Sequence, residues 1–226
     1  MKIKGAIFDM DGTLVDSLMY WPHFWHQLGR KYWGIDHFEV SPEVDKQVRT
    51  MIYADAIAYI KEQYHIPDDF DELLRYANNS IEDFYRQVVV PKSGALALLE
   101  HLKRQGIKMC VASATDLQYV KLCLSLCGMS DYFRSVLSCA DIGVGKDCPD
   151  IYLLAMKELG LSPDEICVFE DSYVALETAK KVGFRTVGIY DQYNYDQARL
   201  ERASDIYVDK QSTLDSLIVK IEGESL

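Results

Sequence analysis

The chain has 226 residues, with 24 Lys and Arg against 35 Asp and Glu, a net charge of −11, and 49% apolar residues. That composition excludes a disordered or collagen-like chain, and the acidic balance excludes a general nucleic-acid binder, whose affinity comes from Lys and Arg neutralising phosphates. No run reaches the roughly 18 apolar residues of a membrane span, so no membrane partner is expected.

At the start, Met1-Lys2-Ile3-Lys4-Gly5 leads straight into Ala6-Ile7-Phe8, without the charged segment and longer apolar stretch of a secretory leader. Apolar runs of strand length occur at Ile3 to Phe8, Ile107 to Ala112, Ile166 to Phe169 and Thr186 to Tyr190. Helical spacing is predicted over about 94–105, 116–127, 149–159 and 172–182. Ser162-Pro163-Asp164-Glu165, with its capping Ser, following Pro and Glu three residues on, predicts a short turn just before the third strand. Short continuous apolar strands alternating with helices predict an α/β fold, a Rossmann-like parallel sheet covered on both faces.

Residues 16–90 break the alternation. Trp21, Trp25, Leu28 and Tyr32 form one helical stripe; Val44, Val48, Met51 and Ile52, then Ile57, Ile60 and Tyr64, and then Leu73, Leu74, Ala77, Ile81, Phe84 and Tyr85, continue in helical spacing. The segment predicts an α-helical cap inserted into a core made of residues 1–15 and 91–226. The six cysteines, Cys110, Cys123, Cys127, Cys139, Cys148 and Cys167, include no C-x-x-C pair. They read as small buried thiols in a reducing compartment, and a cytoplasmic location is expected.

The polar residues that carry chemistry stand where the strands end. Asp9-Met10-Asp11-Gly12-Thr13 comes after the first strand, Ser113 and Ala114 after the second, and Glu170-Asp171 after the third, while Lys146 lies in Gly143-Val144-Gly145-Lys146 ahead of a helix. Ligands of open parallel sheets bind at the carboxyl ends of strands, so these positions converge on one crevice. Taken singly, each has a plain structural alternative: an Asx turn at Asp9, a helix cap at Ser113, a solvated loop charge at Lys146.

Four segments together, Asp9-Met10-Asp11-Gly12-Thr13-Leu14-Val15-Asp16-Ser17, Val111-Ala112-Ser113-Ala114-Thr115, Gly145-Lys146-Asp147-Cys148-Pro149-Asp150 and Phe169-Glu170-Asp171-Ser172, resemble the motifs of the haloacid dehalogenase superfamily. The resemblance is to phosphatases with a helical C1-type cap, the phosphoglycolate phosphatase and β-phosphoglucomutase-like group. It implies that Asp9 is the nucleophile forming an aspartyl phosphate and that Asp11 is the general acid and base. Ser113, Ala114 and Lys146 would hold the phosphoryl group. Four carboxylates against one lysine leave three negative charges facing a phosphate, which calls for a divalent cation, and an oxygen-only donor set suits Mg²⁺. By the same resemblance its ligands would be Asp9, the Asp11 carbonyl and Asp171, with Glu170 adjacent.

The expected activity is Mg²⁺-dependent hydrolysis of a small phosphorylated metabolite by a monomer or weak homodimer. Two alternatives stand beside it: a β-phosphoglucomutase-like mutase, and a catalytically weak regulator that binds phosphometabolites. Mutases of this kind carry a cap histidine where Trp21 stands here, with His23 and His26 out of register. Asp147 replaces a proline of the family pattern, and Ala175 a glycine. In the cap, Arg49 is a candidate contact for a second anionic group and Trp21 a candidate ring surface; a solvated arginine and ordinary cap packing are the competing readings.

Overall fold

β1 (Gly5–Phe8) is buried along its whole length, as an all-apolar strand must be to lie inside a sheet covered on both faces. The structure, a computed structural model, describes residues 3–223. The other strands are β2 (Lys108–Ser113), β3 (Ser135–Ser138), β4 (Ile166–Glu170), β5 (Arg185–Ile189) and β6 (Ile206–Val208). All pair in parallel, in the order β3-β2-β1-β4-β5-β6. The chain winds outward from β1 to β3 and then crosses back to β4, so the switch point of the sheet lies between β1 and β4. Phe8 sits level with Val111 of β2 and Phe169 of β4, which places the residues just beyond all three strands at one edge.

The helices are α1 (Tyr20–Leu28), α2 (Pro42–Thr50), α3 (Tyr53–Gln63), α4 (Phe70–Gln87), α5 (Ala95–Arg104), α6 (Leu117–Leu126), the short α7 (Cys139–Ile142), α8 (Asp150–Leu159), α9 (Tyr173–Val182), α10 (Gln197–Ala203) and α11 (Ser216–Gly223). Side chains alternate across a strand. Ala6 and Phe8 therefore enter one core with Leu98 of α5 and Val120 of α6, while Ile7 enters a second with Ala155 of α8 and Leu176 of α9. Phe8 stacks on Phe169 with ring centres 4.3 Å apart.

The four helices expected in the core are present within two residues of their predicted ends, and Ser162–Glu165 closes as a capping box onto a 3-10 turn. The strands β3 and β6 have no counterpart among the predicted runs. Both are edge strands too short to stand out as apolar runs: β3 has four residues with a serine at each end, and β6 has only three.

Between β1 and α5 the chain forms only helices. Ser41 caps α2, accepting from the Val44 N–H at 3.4 Å, and Asp69 caps α4, accepting from the Glu72 N–H at 2.8 Å. The stripe read from Trp21 to Tyr32 is interrupted: α1 ends at Leu28 and passes into a π-helical turn over Gly29–Trp33. Its buried face is Tyr20, Phe24, Trp25 and Leu28. The helical stretch leaves and re-enters the sheet side by side, with a bridge between Val15 and Pro91 and the Asp16 N–H donating to the Val90 carbonyl at 3.0 Å. No described helix is long and apolar enough to cross a membrane.

Candidate active site

Asp9 is the first residue beyond β1. Its backbone N–H still donates to the Phe169 carbonyl at 2.9 Å, so the sheet fixes the position of its side chain. Beyond it the chain reverses at Gly12, at φ 79°, a left-handed conformation that glycine adopts without a Cβ penalty. A Cβ there would stand 2.5 Å from Asp171 Oδ2. The reversal carries Asp11 back into the same cavity as Asp9, a space of about 430 Å³ bounded by the carboxyl ends of the strands and by α1, α2, α3 and α4.

Around Asp9 the charges are dense. Lys146 donates to Asp9 Oδ1 and, at 2.5 Å, to Glu170 Oε1, which also accepts from the Tyr152 hydroxyl at 3.0 Å. Burial works against the charge on Lys146, but Asp9 and Glu170 outweigh it and raise its pKa, so it stays a cation. Burial pushes Glu170 upward against the pull of Lys146, with repulsion from Asp9 adding to the shift. Asp171 is pushed well up by burial, then by Asp9, Glu170 and Asp191.

Asp9, Glu170 and Asp171 bring carboxylate oxygens within 4.8 Å of one another. Three buried carboxylates that repel one another, offset by a single lysine, form a cluster that could hold a hard divalent cation. The Asn194 amide fixes Asp171, donating to its Oδ2 at 2.7 Å and to its main-chain carbonyl at 2.6 Å.

Asp11 has a different environment. Its Oδ1 accepts from Ser17 Oγ at 2.7 Å and from the Tyr85 hydroxyl at 2.8 Å, and its Oδ2 accepts from Thr115 Oγ1 at 2.8 Å. Burial raises its pKa, with Asp9 adding repulsion, while the three hydroxyls pull it back down. Two carboxylates two residues apart thus sit in unlike surroundings, one beside a lysine and the other ringed by neutral donors.

The structure brings Asp9, Asp11, Ser113, Ala114, Lys146, Glu170 and Asp171 to one cavity, together with Trp21 and Arg49 from the helical stretch. Phe24 and Trp25 are absent from its described lining and pack in the core. Arg49 is not a solvated arginine. Its Nε donates to Asp45 Oδ2 at 2.7 Å and its Nη1 to the Leu18 carbonyl at 3.3 Å. Lys146, which the missing proline at position 147 would leave less constrained, is held by its two carboxylates instead.

Sequence reasoning missed four contacts. Ser17 and Thr115 stood inside recognised segments without a role, Tyr85 read only as helix packing, and Asn194 lies in a loop with no pattern to mark it. All six cysteines are free, five of them buried.

The family model described as a haloacid dehalogenase-like hydrolase matches residues 3–183. The chain belongs to the haloacid dehalogenase-like hydrolases. This hydrolase is 24% identical over 216 residues to the phosphorylated carbohydrates phosphatase of Thermotoga maritima, covering 95% of this chain and 98% of that one. It is 28% identical over 190 residues to hexitol phosphatase A of Escherichia coli, covering 84% of each. Among solved structures, CbbY of Rhodobacter sphaeroides in complex with phosphate superimposes with a TM-score of 0.78 at 23% identity, over 95% of this chain and 96% of that one. A putative β-phosphoglucomutase from Thermotoga maritima does so at 0.77 and 23%, over 99% and 100%. At those identities the structural likeness establishes the fold, and the hydrolase is an enzyme of that family.

Proposed function

We propose that the hydrolase is a Mg²⁺-dependent phosphomonoesterase acting on a small phosphorylated metabolite through an aspartyl phosphate on Asp9, with residues 16–90 serving as a cap over the core. The observation that carries this is the placement of Asp9 at the switch point of the sheet, beside Lys146 and two further carboxylates and across the cavity from a separately held Asp11.

A carboxylate oxygen of Asp9 attacks phosphorus, and the bond to the leaving oxygen breaks. Asp11, carrying a proton, delivers it to that oxygen and releases an alcohol. Asp11 then takes a proton from the water that attacks the phosphoenzyme, so inorganic phosphate leaves and both carboxyl groups return to their starting states. Ser113 and the N–H groups beside it bind phosphoryl oxygens, and Lys146 offsets charge on Asp9 and the transferring group. Asp9, Asp171, the Asp11 carbonyl and the neighbouring Glu170 would hold Mg²⁺, which when bound neutralises charge on the phosphoryl group. Under a cap, the cavity excludes bulk water during transfer.

Hydrolysis is favoured over mutase chemistry because no histidine is among the described residues lining the cavity. His23 pairs with Gln27 at 2.9 Å on the exposed side of α1. The test is phosphate release from a panel of phosphorylated metabolites with and without Mg²⁺. Release that needs Mg²⁺ and disappears in Asp9→Asn is expected; equal release by Asp9→Asn overturns the mechanism. Conversion of β-glucose 1-phosphate to glucose 6-phosphate without free phosphate would establish the mutase.

A further inference from the structure

The cavity has two chemically different ends. At the sheet end stand the carboxylates and Lys146; at the other, Trp21, Ile52, Tyr53 and Ile81 present rings and apolar chains. Two further cations line the cavity among the described residues, Lys46 and Arg49, and both have carboxylate partners within the chain. The Lys46 pair with Asp196 is about two-fifths exposed, with side chains 43% and 40% accessible, so solvent screens both this pair and any contact Lys46 could make to a second anion. The Arg49 pair is enclosed, with side chains only 11% and 10% accessible.

Asp45 is locked in place by three donors. Its Oδ1 accepts from Trp25 Nε1 at 2.8 Å, and its Oδ2 accepts from Arg49 at 2.7 Å and from the Tyr195 hydroxyl at 2.8 Å. Tyr195 comes from the loop after β5 and Trp25 from α1, so three separate parts of the chain hold the carboxylate against the guanidinium. A substrate bringing a second anion to Arg49 must either break this enclosed pair or lie beside the fixed charge of Asp45, and both are unfavourable.

We propose that Asp45 withholds Arg49 from substrate and thereby makes the enzyme select phosphomonoesters whose leaving group carries no second anion and offers a flat or apolar face to the rings at the far end. Asp45 is then a specificity-determining residue that acts through Arg49 and touches no reacting atom. The inference rests on the phosphomonoesterase reading and deepens it.

The test compares two esters that differ by one charge, phenyl phosphate and 4-carboxyphenyl phosphate, using the full chain with Mg²⁺. Phenyl phosphate is expected to show the higher kcat/KM by about tenfold, although the carboxylated phenol is the better leaving group. Asp45→Asn keeps an oxygen for Trp25 but frees the guanidinium charge, and should shift the ratio by about tenfold toward the carboxylated ester. Structural damage alone would lower both esters together. Equal or better turnover of the carboxylated ester by the wild type, or an unchanged ratio in Asp45→Asn, overturns the proposal; should the variant not fold, the wild-type ratio decides. If neither ester releases phosphate, the phosphomonoesterase reading is judged by the metabolite panel, and fails only if that panel also yields none, while selectivity is judged by binding. Calorimetric binding of the same two esters to Asp9→Asn then decides the selectivity, tighter phenyl phosphate sustaining it and equal or tighter carboxylated ester overturning it.

Discussion

The hydroxyl of Tyr85, at the end of α4, donates to Asp11 Oδ1 at 2.8 Å, across 74 positions of sequence. The last helix of residues 16–90 thus helps to hold a carboxyl group on the first loop after β1. Tyr85→Phe removes this donor and leaves the ring in its packing. With Ser17 and Thr115 still in place, kcat/KM should fall about three- to tenfold, the range of one hydrogen bond. An unchanged steady-state profile would show that Tyr85 does not orient Asp11.

Asn194 presents a second test. Its amide holds both the carboxylate and the carbonyl of Asp171, so Asn194→Ala should loosen the proposed cation ligand without deleting it. Outer partners of metal ligands typically affect affinity by about 10- to 100-fold. The Mg²⁺ concentration for half-maximal activity should rise by at least about tenfold, with kcat largely recovered at saturating Mg²⁺. A loss of kcat that Mg²⁺ cannot restore would place Asn194 in a different role.

Lys146 supports the fold as well as the site. Replacing it with Met leaves Asp9 and Glu170 buried without their cation, which should destabilise the protein by about 3 kcal/mol in the presence of a chelator. Mg²⁺ held by the folded state alone, as proposed, should restore part of that loss. Urea unfolding midpoints with EDTA and with Mg²⁺ measure both effects, and identical midpoints for wild type and variant in EDTA would refute the argument.

Alkaline conditions should unfold the protein by way of its buried tyrosines. The Tyr20 hydroxyl lies 2.6 Å from that of Tyr53, which donates to the Ala77 carbonyl at 2.9 Å. Burial raises both pKa values above the ordinary 10.0, so above about pH 10 the unfolded chain releases protons that the folded chain keeps. Stability is then fully present below the unfolded value and falls as pH rises, by about 1.4 kcal/mol per pH unit for each such tyrosine. Thermal melts between pH 9 and pH 11 should show the decline, and Tyr20→Phe should make it shallower. A Tm that does not change across that range would contradict the assignment.

Much of the site was legible from strand ends. Asp9, Ser113, Glu170 and Asp171 lie at the ends of continuous apolar runs, and a parallel sheet necessarily gathers the residues just past its strands at one edge. Lys146 was marked by its place on a glycine-rich loop ahead of a helix, where a solvated charge was the competing reading, and only the family resemblance gave it a role. The contacts that were not legible are those made by ordinary residues at long range. Tyr85 obeys helical spacing whether or not its hydroxyl meets Asp11, and nothing local distinguishes Asn194 from any loop amide. Arg49 was read as free to meet an anion or solvent because its partner Asp45, one helical turn back, could as well have faced outward; Trp25 and Tyr195 turn it in. β3 and β6 escaped notice for the opposite reason, being edge strands with little to bury.

Gly12 sets a limit on how this enzyme can change. The volume that a side chain would take at position 12 is already filled by the Asp171 carboxylate, and the backbone there is left-handed. Even a methyl group would have to displace an acid of the buried carboxylate cluster. Libraries meant to give the enzyme new substrates therefore have more room at the partly exposed Trp21 and Ile52 of the cavity than at this turn, which tolerates no side chain.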